Sequence, residues 1–171
     1  MPVQRLKEFL DKNNIQYVVI THSRAFTAAA IGAITHIPGK EIAKSVMVKL
    51  DGKLAMVVVP GSRSIDLSSL KAAVPARTAM IVPETEFSDS FPDCEVGAMP
   101  PFGVLYDFPV YVDEMLTHDE EIAFNAGSHR ELVRMSYRDF ERLVKPKVLR
   151  IIRKTASETM AEARLAGVKT A

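Results

Sequence analysis

The sequence predicts a mixed α+β domain, a mixed and largely antiparallel sheet surrounded by helices. Three observations lead there. Apolar residues recur at helical spacing in some segments and crowd into short β-rich runs in others. Asp51-Gly52 joins two of those runs, "AKSVMVKL" and "KLAMVVVP", and Asp-Gly between apolar β runs is a strong hairpin signal. The strand candidates also lack regular βαβ alternation, which favours antiparallel neighbours.

The elements follow in order. "VQRLKEFLDKNN" carries Val3, Leu6, Phe9 and Leu10 at helical spacing and ends on two asparagines. "IQYVVIT" is a β-rich run. "FTAAAIGAITHIPG" reads as a short helix with Thr27 as its N-cap, ended before Pro38-Gly39. The hairpin comes next. "SIDLSSLKAAVP" is a helix capped by Asp66 and stopped at Pro75, "RTAMIV" a strand, and "PETEFSDSF" a short helix opened by Pro83. "FPVYVDEML", "EEIAFNAGS" and "HRELVRMS" are strands, and "YRDFERLV" is the last core helix. Residues 147–171 hold six basic and two acidic residues and no aromatic one. They read as a basic C-terminal helix or tail, fraying toward its end, set apart from a domain over residues 1–146.

Composition narrows the function. The chain has 171 residues, 47% of them hydrophobic, enough for one domain with a real core. Its 22 basic and 21 acidic residues leave a net charge of +1, which argues against a protein that coats long duplex but allows a local grip on a few phosphates. Cys94 is the only cysteine, so no intrachain disulfide forms, as in a reducing compartment. The N-terminus has no long apolar stretch of the secretory kind, and "LAMVVVP" is too short to span a membrane. The four histidines are scattered, and no H-E-x-x-H or C-x-x-C motif points to a metal.

Three places can carry chemistry. Lys44 stands at the mouth of an apolar strand, where an ammonium can supply charge to a carbonyl or phosphate oxygen; on composition alone a snorkelling surface lysine is commoner. "VGAMPPFG" (96–103) is a stiff loop with flexible ends. Proline fixes φ and donates nothing, while the N–H groups of Ala98, Met99, Phe102 and Gly103 remain, and rigid free amides beside a glycine make an oxyanion site. "NAGSHR" (125–130) is a polar glycine turn that ends in His129. No Ser-His-Asp spacing, P-loop or G-x-G-x-x-G accompanies them.

Taken together, "HIPGKEIAKSVMVK", "GAMPPFG" and "NAGSHRELVRMSYRDFERLV", in this order and separation, resemble the YbaK/ProX family. These are free-standing aminoacyl-tRNA deacylases, similar to the editing domain inserted in bacterial prolyl-tRNA synthetases. The resemblance covers residues 2–145. It implies the family's mixed α/β fold and hydrolysis of the ester between a mischarged amino acid and the tRNA 3′ end, a tRNA(Pro)-type end being the expected one. Lys44 matches the family's essential lysine. Gly97 and Pro101 match the loop whose backbone binds the terminal adenosine and the ester, with Ala98, Met99, Phe102 and Gly103 beside them. His129 falls at the histidine of the "AGSH" turn, which lines the pocket in some members, with Gly127 and Ser128 beside it. Ser45 departs from the Asn or Thr common after the lysine, which leaves the amino-acid specificity open.

The implied chemistry needs charge stabilisation on a developing oxyanion, which an ammonium and fixed amides supply. No protein nucleophile is evident, so water attacks, with assistance open to the substrate's own ribose hydroxyl or side chain. No metal or cofactor is called for. The expected partners are the aminoacyl-tRNA acceptor end and an aminoacyl-tRNA synthetase, in the cytoplasm and without a membrane. The alternative is a non-catalytic module that recognises a nucleotide or tRNA end, since fold alone does not fix function.

Overall fold

A computed structural model describes residues 3–170, with side chains through Gly167. Helix α1 (Gln4–Lys12) buries Leu6 and Leu10, which lie one above the other at i, i+4. Strand β1 (Tyr17–Thr21) follows. Helix α2 (Ala28–Thr35) begins as expected: the Thr27 side chain accepts from the Ala30 N–H at 3.1 Å. It ends at His36, in the left-handed region at φ +59°.

Strands β2 (Ala43–Leu50) and β3 (Lys53–Pro60) form the expected hairpin, in register from Ala43 opposite Pro60 to Leu50 opposite Lys53. Asp51 (φ +49°) and Gly52 (φ +81°) both take positive φ, as a type I′ turn requires. The Asp51 carboxylate also accepts from the Arg77 and Thr78 N–H groups, which ties the hairpin tip to the next strand. Helix α3 (Leu67–Ala73) is capped by Asp66. Strand β4 (Ala79–Ile81) and helix α4 (Glu84–Phe87) lead into the glycine–proline loop. Then come β5 (Val110–Asp113), β6 (Glu121–Asn125), β7 (Glu131–Ser136) and α5 (Tyr137–Val144), which Ser136 caps. Strand β8 (Lys147–Leu149) and helix α6 (Ala156–Thr170) complete the chain.

The strands make two sheets. One is antiparallel, in the order β1-β7-β6; the other is mixed, in the order β4-β2-β3-β5-β8, antiparallel from β4 to β3 and parallel from β3 to β8. Alternation along β2 and β3 gives the second sheet two buried faces. Met47, Met56 and Val58 point into the larger core with Phe102, Phe124 and Phe140. Val48, Val57 and Val59 point the other way, onto Leu70 and Ile151. A parallel bridge between Ile42 and Ala123 joins the sheets and brings the start of β2 beside the end of β6.

The expected division at residue 146 does not follow the packing. Strand β8 adds to the sheet beside β5, Ile151 is fully buried, and the Ile151 N–H donates to the buried Asp113 carboxylate at 2.9 Å. Ile152 bridges to Ile65, and the Arg153 N–H donates to the Ser64 carbonyl. The apolar residues of "KVLRII" hold this stretch to the body. Only beyond it does the chain leave, in α6, whose described side chains are all exposed.

Candidate functional site

The loop after α4 is laced to the turn between β6 and β7. The Glu95 N–H donates to the Gly127 carbonyl, the Gly127 N–H to the Ala98 carbonyl, and the Ala98 N–H back to Glu95. His129 locks the arrangement. Its backbone N–H donates to the Glu95 carboxylate, and its ring Nε2 lies 2.8 Å from the Val96 carbonyl, so Nε2 carries the proton and donates. Nδ1 is left buried without a partner. Gly97 sits at the apex at φ +80°, a conformation that favours glycine. Its N–H and that of Met99 donate to no protein acceptor among the described residues.

Two adjoining chambers open at this apex, and Ser45, Gly97 and Met99 line both. The first, about 80 Å³, has an apolar wall of Ala28, Ile31 and Ile42 and is also lined by Lys44, Asn125 and Phe26. The second, about 180 Å³, is lined by Ile81, Val82, Glu84 and Phe87. The polar atoms of the first chamber are unusual. Ser45 Oγ and Asn125 Oδ1 are buried and have no hydrogen-bond partner among the described residues. A buried polar atom without a partner costs free energy, which a ligand group that bonds it recovers.

Lys44 is half-buried at the chamber edge, and burial lowers its pKa from the usual lysine range. Its Nζ donates to the Arg63 carbonyl at 3.2 Å, which uses one of three N–H groups. The Arg63 side chain is itself held, by both Glu158 carboxylate oxygens and by the Arg153 carbonyl. The ammonium is thus tied through one residue to the first turn of α6.

Of the residues singled out in the sequence, Lys44, Ser45, Gly97 and Met99 line the chambers, and His129 stands behind them. The others lie elsewhere. Phe102 is a core residue packed on Phe9, Phe124 and Phe140, and does not line the cleft. At Gly103 a Cβ would lie 2.8 Å from a Val110 methyl, so this glycine serves packing. Ala98 and Pro101 are buried beneath the loop. The Ala98 amide, expected to remain open, donates to Glu95. Gly127 (φ +99°) turns the chain against Val3, and Ser128 Oγ accepts from the Arg130 N–H. Pro-Pro followed by Phe reads in sequence as a continuous exposed loop, but the loop dives into the core after Met99.

Sequence reasoning missed Asn125, Glu84 and Phe26. Asn125 had a signal, a polar residue ending an apolar strand just before the "AGSH" turn. Phe26 is 65% exposed, with its ring 4.6 Å from that of His129 and the Arg24 guanidinium 5.1 Å from its own centroid. Cys94 is no nucleophile here: burial pushes its thiol up to about 11. Among the described residues no group of three His, Cys, Asp or Glu could hold a metal, and no helix is long and apolar enough to cross a membrane.

Backbone amides at a rigid glycine apex, a lysine and polar atoms in a small cleft can together stabilise negative charge on an oxygen. The sequence profile of the aminoacyl-tRNA editing domain matches residues 22–143, and the chain belongs to that family. The family comprises deacylases that hydrolyse aminoacyl-tRNA ester bonds, so this protein is an enzyme of that class with aminoacyl-tRNA as its substrate, and the alternative of a non-catalytic module falls away. A relative from Escherichia coli (strain K12), the multifunctional Ser/Thr-tRNA deacylase ProXp-y, is 27% identical over 158 residues, covering 90% of this chain and 93% of its own. Among solved structures, the hypothetical protein APE2540 superposes with a TM-score of 0.80 at 18% identity, over 88% of this chain and all of its own. A candidate trans-editing enzyme for prolyl tRNA synthetase gives 0.76 at 19% identity, over 89% and 97%. These likenesses bear out the YbaK-like mixed fold.

Proposed function

We propose that the enzyme edits in trans, releasing a small hydroxyl-bearing amino acid, serine foremost, from a tRNA(Pro)-type acceptor end. The observation that carries this reading is the pair Ser45 Oγ and Asn125 Oδ1, buried and unpartnered in a chamber of about 80 Å³. A serine or threonine side chain fits so small a space and brings a hydroxyl that can donate to Asn125 Oδ1 and accept from the Ser45 hydroxyl; an alanine side chain leaves both unpaired, and that penalty discriminates against it. The name of the Escherichia coli relative, a Ser/Thr-tRNA deacylase, supports the same class.

In this reading the ester carbonyl lies at Gly97. The Gly97 and Met99 amides and the Lys44 ammonium stabilise the oxyanion. Water adds to the carbonyl carbon, the bond to the ribose oxygen breaks, and the products are the free amino acid and the tRNA 3′-hydroxyl. His129 acts through the loop by holding the Val96 carbonyl. The cellular setting is the cytoplasm, beside the synthetase that makes the error.

The test is release of labelled amino acid from tRNA(Pro) charged with Ala, Cys, Ser and Thr. The expected order puts Ser and Thr above Ala. Preference for Ala, or equal rates on all four, overturns the hydroxyl reading. Dialysis against EDTA is expected to leave the rate unchanged; a loss restored by zinc overturns metal-free hydrolysis.

A further inference from the structure

An aminoacyl ester carries one positive charge close to its scissile bond, the α-ammonium group. Among the described residues that line either chamber, Glu84 is the one carboxylate. It is exposed, and its carboxylate has no ion pair or hydrogen-bond partner among the described residues. Its Oε1 is the nearest atom to the point where a Cβ on Gly97 would stand, 3.5 Å away. The carboxylate therefore overhangs the apex of the loop.

Helix geometry alone does not account for this placement. Glu84 opens α4, and acidic residues are favoured in a first turn. Glu86 lies in the same turn, meets that preference, and is spent on Lys49 at 2.6 Å. Glu84 has no such counter-ion and faces the cleft. The two charges stand on opposite sides. Lys44 lines the first chamber only and Glu84 the second only, with Gly97 between them. A substrate ammonium is repelled from the side of Lys44 and drawn to the side of Glu84.

We propose that Glu84 receives the α-ammonium group of the aminoacyl ester. The inference rests on the placing of the ester at Gly97. From a carbonyl there, the three-way branch at the substrate α-carbon sends the side chain into the first chamber and the ammonium into the second. The contact favours hydrolysis of esters with a free α-amine. It applies to every amino acid alike, so it is independent of which side chain the first chamber prefers.

The experiment compares wild type and Glu84→Gln on the best-cleaved aminoacyl-tRNA of the panel and on its deaminated counterpart, in which a neutral α-hydroxyl of similar size replaces the ammonium. Wild type is expected to favour the amine by about tenfold in kcat/KM, the lower end for a hydrogen bond to a charged group, because the carboxylate is exposed. Glu84→Gln is expected to lose that factor on the aminoacyl ester and to match wild type on the hydroxyacyl ester, with an unchanged melting temperature. Equal loss on both esters, or no loss on either, overturns the proposal. If the best-cleaved amino acid is neither serine nor threonine, the hydroxyl reading of the first chamber fails while this comparison still decides the role of Glu84.

Discussion

The larger cavity of this enzyme and its smaller cleft have opposite electrostatic characters. The larger, about 330 Å³, lies where β5, β8 and α6 come together. Its charged side chains are paired: Arg63 with Glu158 and Arg150 with Glu114 across its lining, and Lys154 with Glu162 beyond it. The Asp113 carboxylate accepts from the Ile151 and Met115 N–H groups. The chambers at Gly97 are smaller, yet the residues that line them carry two buried side-chain polar atoms, two backbone amides and a carboxylate without partners among the described residues. Volume measures room; unsatisfied polarity measures the free energy that a ligand can recover. The first cavity has its charges paired, and the second leaves polar groups open to a ligand.

The contrast breaks most sharply at Lys44. Lys44→Ala is expected to lower the single-turnover deacylation rate roughly a hundredfold or more, the scale of losing one charged or hydrogen-bonding stabiliser of an oxyanion. The fold should survive, since the side chain is only half-buried and makes one hydrogen bond. A normal rate returns Lys44 to a surface role. Stability carries a second signature. Burial lowers the Lys44 pKa, so between that lowered value and the ordinary one the unfolded chain binds more protons than the folded one. Wild-type stability therefore rises with pH across that window relative to Lys44→Met, as paired urea titrations would read.

Gly97→Val comes next. The change is expected to cost about a hundred- to a thousandfold in rate if it displaces one oxyanion donor. A β-branched residue at φ +80° also carries backbone strain of about 1–3 kcal/mol. Because Gly97 is exposed, the strain is expected to be the whole stability effect. A urea midpoint that falls as far as the rate makes the loop mere scaffolding.

What the sequence disclosed follows the range of the interactions. Thr27, Asp66 and the Asp51-Gly52 turn act over a few residues, and each was legible. Lys44 and Gly97 were legible because a lysine at a strand mouth and a glycine before two prolines are locally odd. Phe102 was misread because nothing local says that a chain leaving Pro101 turns inward to meet Phe9 and Phe140. Asn125 and Ser45 meet only because Ile42 bridges to Ala123 across two sheets, a contact between residues far apart in sequence. Glu84 depends on the side-chain direction of a four-residue helix. Strand β8 was hidden by its own charges: Lys147 and Arg150 flank the apolar residues that pair with β5.

The mildest break concerns the C-terminal arm, and it asks whether the charge-paired region is independent of the cleft. Deleting residues 153–171 removes four basic and two acidic residues. So small an excess of positive charge should weaken tRNA binding only modestly at low salt, and the difference should narrow as salt rises and screens it. The cut is made after Ile152 so that β8 and Ile151 stay in the sheet. It also strips Arg63 of Glu158 and of the Arg153 carbonyl, and the Arg63 carbonyl is the acceptor of the Lys44 ammonium. Affinity and rate thus report different things. Weaker binding at low salt with an unchanged single-turnover rate at saturation is expected, because the Arg63 N–H still donates to the Pro60 carbonyl and holds that residue in place. A rate that falls toward that of Lys44→Ala would mean that the arm positions the lysine through Arg63, and that the two regions form one working unit.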